Sequence, residues 1–133
     1  MMRRLLLFTA VLVMVSAAFA VAAAADQRTK NGSFVITVQA VPPEPVVGSN
    51  SATLTIKDAS SGAAVEGATV KVVPWMTVHG HGSPKNARVT EKGSGVYEVN
   101  DLYYSMRGAW DLLISIKQGG VEDSASVAVD IKK

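Results

Sequence analysis

The sequence predicts an all-β domain after an N-terminal signal segment, an immunoglobulin-like sandwich of two sheets with about seven strands. Apolar and polar residues alternate with a period of two over most of the chain beyond residue 32. This pattern is typical of strands that bury one face. Turn signals separate these runs about every eight to twelve residues. The same region lacks helical periodicity, so two packed sheets are favoured over any architecture that contains helices.

The first 25 residues differ from the rest of the chain. They begin with Arg3 and Arg4, continue as an apolar run and end in small, alanine-rich sequence, as in a secretory signal with its cleavage site. We therefore expect a signal peptide at 1–25, one domain at 26–133, and a periplasmic or otherwise extracytoplasmic location. Because the stretch 5–25 is about long enough to span a bilayer core, an uncleaved membrane anchor is the alternative.

Seven runs form the predicted strands, and in each of them inward and outward side chains alternate. They cover residues 34–40, 51–58, 68–72, 88–91, 96–102, 109–118 and 121–131. The predicted inward side chains include Phe34, Ile36, Val38, Ala52, Leu54, Ile56, Val70, Val72, Tyr97, Val99, Trp110, Leu112, Ile114, Ile116, Ala125, Val127, Val129 and Ile131. Pro74 is expected to interrupt the third run, since proline cannot donate to a neighbouring strand. Residues 92–95 and Gly119-Gly120 are predicted hairpin turns.

Charge and composition exclude several classes of function. Of the 13 lysines and arginines, Arg3 and Arg4 lie in the signal segment, which leaves 11 basic against 11 acidic residues. A neutral domain without a basic cluster argues against a nucleic-acid partner, and membrane contact is expected only through an uncleaved N-terminal segment. The chain has no cysteine, which excludes thiolate metal sites and thiol nucleophiles. Since no catalytic constellation of serine, histidine or paired carboxylates is evident, we expect no enzymatic activity.

Two histidines and two methionines stand out chemically. His79 and His81 are the only histidines in the chain, Met76 comes just before them, and Met106 lies farther along. Thioether and imidazole groups suit Cu(I), a soft cation. Positions two apart in an extended segment face the same way, and the intervening glycines let the backbone bend. The spacing therefore predicts a copper site on His79 and His81, which Met106 and Met76 join if the two segments pack together.

A structural interpretation of these residues stays open beside the metal site. Histidines in a glycine-rich turn can donate to backbone carbonyls, and methionines near tryptophans often fill space in a core. Trp75 and Trp110 are expected to anchor the core or its rim, and Tyr97 to form a tyrosine corner. Tyr103 and Tyr104 cannot both face inward in an extended run, so one of them is expected to be exposed near the candidate site.

Three stretches of the sequence carry a family resemblance. They are Pro74-Trp75-Met76-Thr77-Val78-His79-Gly80-His81-Gly82, Gly93-Ser94-Gly95-Val96-Tyr97 and Met106-Arg107-Gly108-Ala109-Trp110-Asp111-Leu112. Together they resemble the YtkA-like domain, which is related to the FixH-like envelope proteins. The resemblance implies a sandwich fold, and the FixH-like branch is associated with the assembly of copper-containing haem oxidases. His79, His81 and Met106 match family positions, whereas Thr77 and Arg107 stand where the family often has proline.

Two hypotheses of function follow from these observations. In the first, the protein is an exported accessory domain that binds a metal ion, copper, in support of metal handling or respiratory-complex assembly. Its partner would be an envelope or respiratory-complex protein. In the alternative, the protein is a metal-free interaction module of the envelope, and its edge strands or the surface around Tyr103 and Tyr104 dock another protein.

Overall fold

The computed structural model describes residues 26–133, and the signal segment expected at residues 1–25 lies outside the described residues. The described part is built from nine strands. They are β1 (Asp26–Arg28), β2 (Phe34–Val41), β3 (Gly48–Asp58), β4 (Thr69–Met76), β5 (His81–Gly82), β6 (Arg88–Gly93), β7 (Val96–Tyr104), β8 (Gly108–Gln118) and β9 (Val121–Ile131). Between residues 26 and 133, no helix is long and apolar enough to cross a membrane.

Two antiparallel sheets pack face to face, which confirms the predicted all-β sandwich. One sheet has the order β1-β2-β3-β7-β6 and the other β5-β4-β8-β9. The two strands beyond the expected seven are β1 and β5, which are three and two residues long and too short to show alternation. The interruption expected at Pro74 is wrong, because β4 continues through Pro74 to Met76. The Pro74 carbonyl accepts a hydrogen bond from the Ser83 N–H outside the sheet, so the backbone N of Pro74 faces away from β8 and no ladder bond is lost.

The core lies between the sheets and contains the side chains that the alternation pointed inward. Phe34, Ile36, Leu54, Ile56, Tyr97, Val99, Trp110, Leu112, Ile114 and Ile116 are all at most 2% exposed. The last strand is buried less completely, since Ala125, Val127 and Val129 are only partly covered. Without cysteine, this apolar layer is the main source of stability.

One side of the sandwich is closed by a buried carboxylate on β9. Asp123 is 4% exposed, and it accepts hydrogen bonds from the Thr29 hydroxyl at 2.7 Å and from the backbone N–H groups of Asn31, Ser33 and Ser124. Burial raises the pKa of Asp123, but these hydrogen bonds stabilise the charged form and hold the pKa below its usual range. The carboxylate thereby ties the turn before β2 in one sheet to the start of β9 in the other.

A second tie joins the loop before β4 to β7. The Tyr97 hydroxyl donates to the Val65 carbonyl at 2.8 Å and accepts from the Ala68 N–H at 3.2 Å. The structural role expected for Tyr97 is therefore present, although its partners lie about 30 residues upstream instead of the few residues that separate the partners in a tyrosine corner.

We expect Asp123→Asn to lower the urea midpoint of unfolding at neutral pH, because its amide group would turn N–H donors toward the N–H groups of the turn. The folded pKa of Asp123 is lowered, so its contribution is present above the unfolded pKa of about 4 and is lost as pH falls through the folded value. The difference in urea midpoint between the wild type and Asp123→Asn should therefore become smaller below about pH 4. Asp130→Asn, an exposed change on the same strand, is the control. A difference in urea midpoint that does not depend on pH would contradict a stabilising role of the Asp123 carboxylate.

Tyr97→Phe removes only the hydroxyl and leaves the Val65 carbonyl and the Ala68 N–H without their partner. We expect a loss of about 1–2 kcal/mol in the free energy of unfolding, measured by urea titration. Tyr103→Phe, at a partly exposed ring on the same strand, should change stability by less than about 0.5 kcal/mol. If Tyr97→Phe lowers the free energy of unfolding as little as Tyr103→Phe does, the hydrogen bonds of the Tyr97 hydroxyl contribute nothing to stability.

Candidate metal centre

The two histidines lie on a tight hairpin between β4 and β5. Residues 77–80 form the turn, and the N–H groups of His79 and Gly80 both donate to the Met76 carbonyl, at 3.2 and 2.8 Å. Gly80 has a φ of 64°, a left-handed conformation that glycine adopts without steric cost. The tight turn fixes where both imidazole rings leave the backbone.

His79 and His81 are exposed, and their ring centroids are 5.8 Å apart with 23° between the ring planes. Two imidazoles that each place a nitrogen about 2 Å from one ion have centroids about 5–6 Å apart. The observed separation falls in this range. We expected the two side chains to meet because they are two positions apart in a segment predicted to be extended. In the structure, His79 instead lies in the turn and His81 lies on β5.

The buried indole of Trp110 supports this hairpin from below. The centroid of the His81 ring is 6.1 Å from that of Trp110, with 78° between the ring planes, and the centroid of the Tyr104 ring is 5.4 Å from that of Trp110, at 70°. The Trp110 Nε1–H donates to the Met106 carbonyl at 3.0 Å. One side chain therefore contacts the histidine hairpin, the opposite sheet and the segment that carries Met106.

The two methionines occupy different environments. Met106 lies between β7 and β8 and is 41% exposed, whereas Met76 is 1% exposed. Met76 pairs directly with His81 across β4 and β5, and directly opposed residues share one face of a sheet. Its side chain therefore lies on the same face of the sheet as His81 and is buried in the core. The structure brings His79, His81 and Met106 to the same end of the sandwich around Trp110.

The turn is also tied to β8 by a contact that sequence reasoning missed. The Thr77 hydroxyl donates to the Asp111 carboxylate at 2.9 Å. This hydrogen bond holds the start of the turn. Asp111 comes one residue after Trp110, so neighbouring positions of β8 hold the hairpin on opposite faces of the sheet.

The candidate ligands that the sequence predicts at this end are nitrogen and sulfur donors, and the Asp111 carboxylate at the same end accepts the hydrogen bond from Thr77. In the described range 26–133, no group of three or more histidine, cysteine, aspartate or glutamate side chains is arranged to hold a metal ion. The predicted donors, two imidazoles and a thioether, are of the kind that suits a soft ion better than Mg²⁺ or Ca²⁺.

The tyrosines near this end face opposite ways, as expected from their adjacent positions. Tyr104 is 1% exposed and packs against Trp110, and burial raises its pKa. Tyr103 is half-buried at the surface, where the Lys85 ammonium lies 5.2 Å from its ring centre, within the range of a cation–π contact. Tyr103 is therefore the member of the pair that a partner could reach.

Comparisons with known proteins support the same architecture. The family model described as YtkA-like matches residues 30–115, more than half of the chain. Among solved structures, a DUF4426 family protein from Pseudomonas aeruginosa PAO1 is similar, with a TM-score of 0.54 and 14% identity. The match covers 80% of this chain and 96% of that one, and at this identity it shows the fold alone. A search of curated protein sequences gives no significant match.

We expect Gly108→Ala to disturb the packing between Met76 and the start of β8. Gly108 has a φ of 130°, and an added Cβ would lie 3.0 Å from the Met76 Cε. Backbone strain of this kind costs about 1–3 kcal/mol, so the free energy of unfolding should fall by that amount and the NMR signal of the Met76 methyl should shift. Gly120→Ala, where a Cβ meets no atom within 4 Å, is the matched control. An unchanged Met76 signal in Gly108→Ala would contradict the contact.

Proposed function

The chain belongs to the YtkA-like family, and on this premise we propose that it is an exported, non-enzymatic accessory domain that binds Cu(I). The ion would be held by His79 and His81 together with the thioether of Met106. The role would be to support metal handling or respiratory-complex assembly outside the cytoplasm. The single observation that carries the proposal is the 5.8 Å separation of the two imidazole rings on the hairpin.

The chemistry of the donors supports copper in its reduced form. Cu(I) is soft and binds thioether sulfur well, and Met106 is the exposed methionine at this end of the sandwich. Zinc accepts imidazole, but its usual additional ligands are thiolates and carboxylates. Met76, buried beside His81 on the same face of the sheet, would act as packing support or, after a small movement of the hairpin, as a further sulfur donor.

The exposure of the ligands supports transfer rather than permanent storage. Both histidines are exposed, and Met106 is 41% exposed. A shallow site of this kind leaves coordination positions open on the solvent side, so that an incoming partner can replace the ligands one at a time. A structural metal site is instead fully enclosed by its own protein ligands.

A Cu(I) titration of the purified protein against a competing chromogenic chelator tests the proposal. We expect stoichiometric binding by the wild type and its loss in the double variant His79→Ala/His81→Ala. Met106→Leu, which removes the sulfur but keeps the bulk, should weaken binding by about tenfold or more. Zn²⁺ present in excess should not displace the bound Cu(I).

Two controls separate loss of ligands from loss of structure. Val78→Ala changes a side chain that is 82% exposed in the same turn and should leave the affinity unchanged. The urea midpoint of the double histidine variant should match that of the wild type, since both rings are exposed. Failure of the wild type to compete with the chelator would overturn the copper proposal and favour a metal-free interaction module. Equal affinity in the double variant would overturn the proposed site, because it would exclude both histidines as ligands.

A further inference from the structure

The side of the sandwich opposite Asp123 is open. There β4 is the last long strand of one sheet and β6 is the last strand of the other. A cleft of about 440 Å³ lies between them. On the opposite side, Gln27 donates to the Ser126 carbonyl at 2.7 Å and Lys30 N–H donates to the Ser124 carbonyl at 2.8 Å. These bonds join the two sheets beside a larger cleft, of about 550 Å³, which residues of β1, β2 and β9 line. The β4–β6 cleft differs from it in charge, because Lys71 and Lys85 line the β4–β6 cleft, whereas Asp26 and Asp130 line the other.

Unpaired backbone groups form part of the cleft wall. β4 pairs with β8 from Thr69 to Trp75, but β5 covers its other edge only at Trp75 and Met76. Since the carbonyl of Pro74 points away from β8, toward Ser83, the N–H and C=O groups of Val72 and Val70 point the same way, because direction alternates along a strand. These groups have no strand partner among residues 26–133, and such an edge can accept an added strand.

The side chains of the cleft favour an amphipathic occupant. Its inner wall includes Val70 and Val72 from β4 and Val89 from β6. Lys71 and Lys85 also line it, and no carboxylate does so within the described part of the chain. Val73, next to Lys71 on the outer face, is 47% exposed. An added strand would cover it.

The positive charges of Lys71 and Lys85 also indicate which kind of strand can add to the edge of β4. Two copies of this chain that paired through β4 would bring their Lys71 side chains onto one small surface, where like charges repel. A segment with carboxylates would instead pair with Lys71 and Lys85. The backbone edge favours a peptide over a lipid anion, because only a peptide supplies alternating donors and acceptors to Val70 and Val72.

We propose that the cleft binds an extended segment of a partner protein in which apolar residues alternate with acidic ones. The segment adds as a strand to the free edge of β4. Its apolar side chains enter the cleft against the valines, and its carboxylates face Lys71 and Lys85. This binding goes beyond the copper proposal and does not need a metal ion, since none of the candidate ligands His79, His81, Met106 and Met76 lines the cleft.

The test uses the purified protein labelled with ¹⁵N and a peptide of about eight residues that alternates valine with glutamate. In metal-free buffer, we expect the amide signals of Val70, Val72 and Val89 to shift on titration. Amide exchange at Val70 and Val72 should slow as their N–H groups gain partners. The double variant Lys71→Glu/Lys85→Glu should bind about tenfold more weakly or worse, since two charge pairs are lost and reversed.

Two further variants and a second peptide test whether binding depends on the charge of the cleft. The double variant Lys57→Glu/Lys132→Glu, at exposed lysines outside the cleft, should bind as the wild type does. A peptide that alternates valine with lysine should not bind, and the variant His79→Ala/His81→Ala should bind the acidic peptide normally even if it loses copper. Unchanged amides on β4, equal binding of both peptides, or self-association of the protein through β4 would overturn the proposal.

Discussion

Packing around Trp110 links the core of the sandwich to the candidate metal centre. Its indole lies between Tyr104 of one sheet and His81 on the β4–β5 hairpin, and its N–H holds the Met106 carbonyl. The hairpin that carries His81 and the segment that carries Met106 therefore both contact one buried side chain. This is a physical reason for a large aromatic at the start of β8, since only a wide, rigid ring with a polar edge reaches all three neighbours at once.

The two sides of the sandwich differ in how the edge strands of the two sheets are held together. On one side, the Asp123 carboxylate and the bonds from Gln27 and Lys30 join the sheets. On the other side, β4 and β6 stay apart, and Lys71 and Pro74 protect the edge of β4. Lysine and proline discourage indiscriminate pairing but leave Val70 and Val72 able to bond. The edge therefore selects its occupant by charge.

The sequence predicted the inner faces of the strands because burial of one face imposes a period of two, as in Leu54 and Ile56 or Leu112 and Ile114. It could not predict β5, which has two residues and no period. For Pro74, the sequence rule cannot tell which neighbour a backbone group faces. The candidate ligands were recognisable by residue type, but the burial of Met76 depends on strand register. Apart from Ser124, the hydrogen-bond partners of Asp123 lie about 90 residues away, beyond any local pattern.

The candidate metal centre and the cleft meet at Gly82, which lines the cleft and directly follows His81. An added strand can pair with β4 at Val70 and Val72 but must leave it at Trp75, where β5 already occupies the edge. From Val72 to Met76 a strand advances about 13 Å, at about 3.3 Å per residue. The next four or so residues of a bound partner would therefore pass the histidine hairpin. Affinity would come from the paired strand, and any ligand exchange would come from the residues that follow it. Mutation can therefore separate the two proposed functions even in a partner that uses both sites.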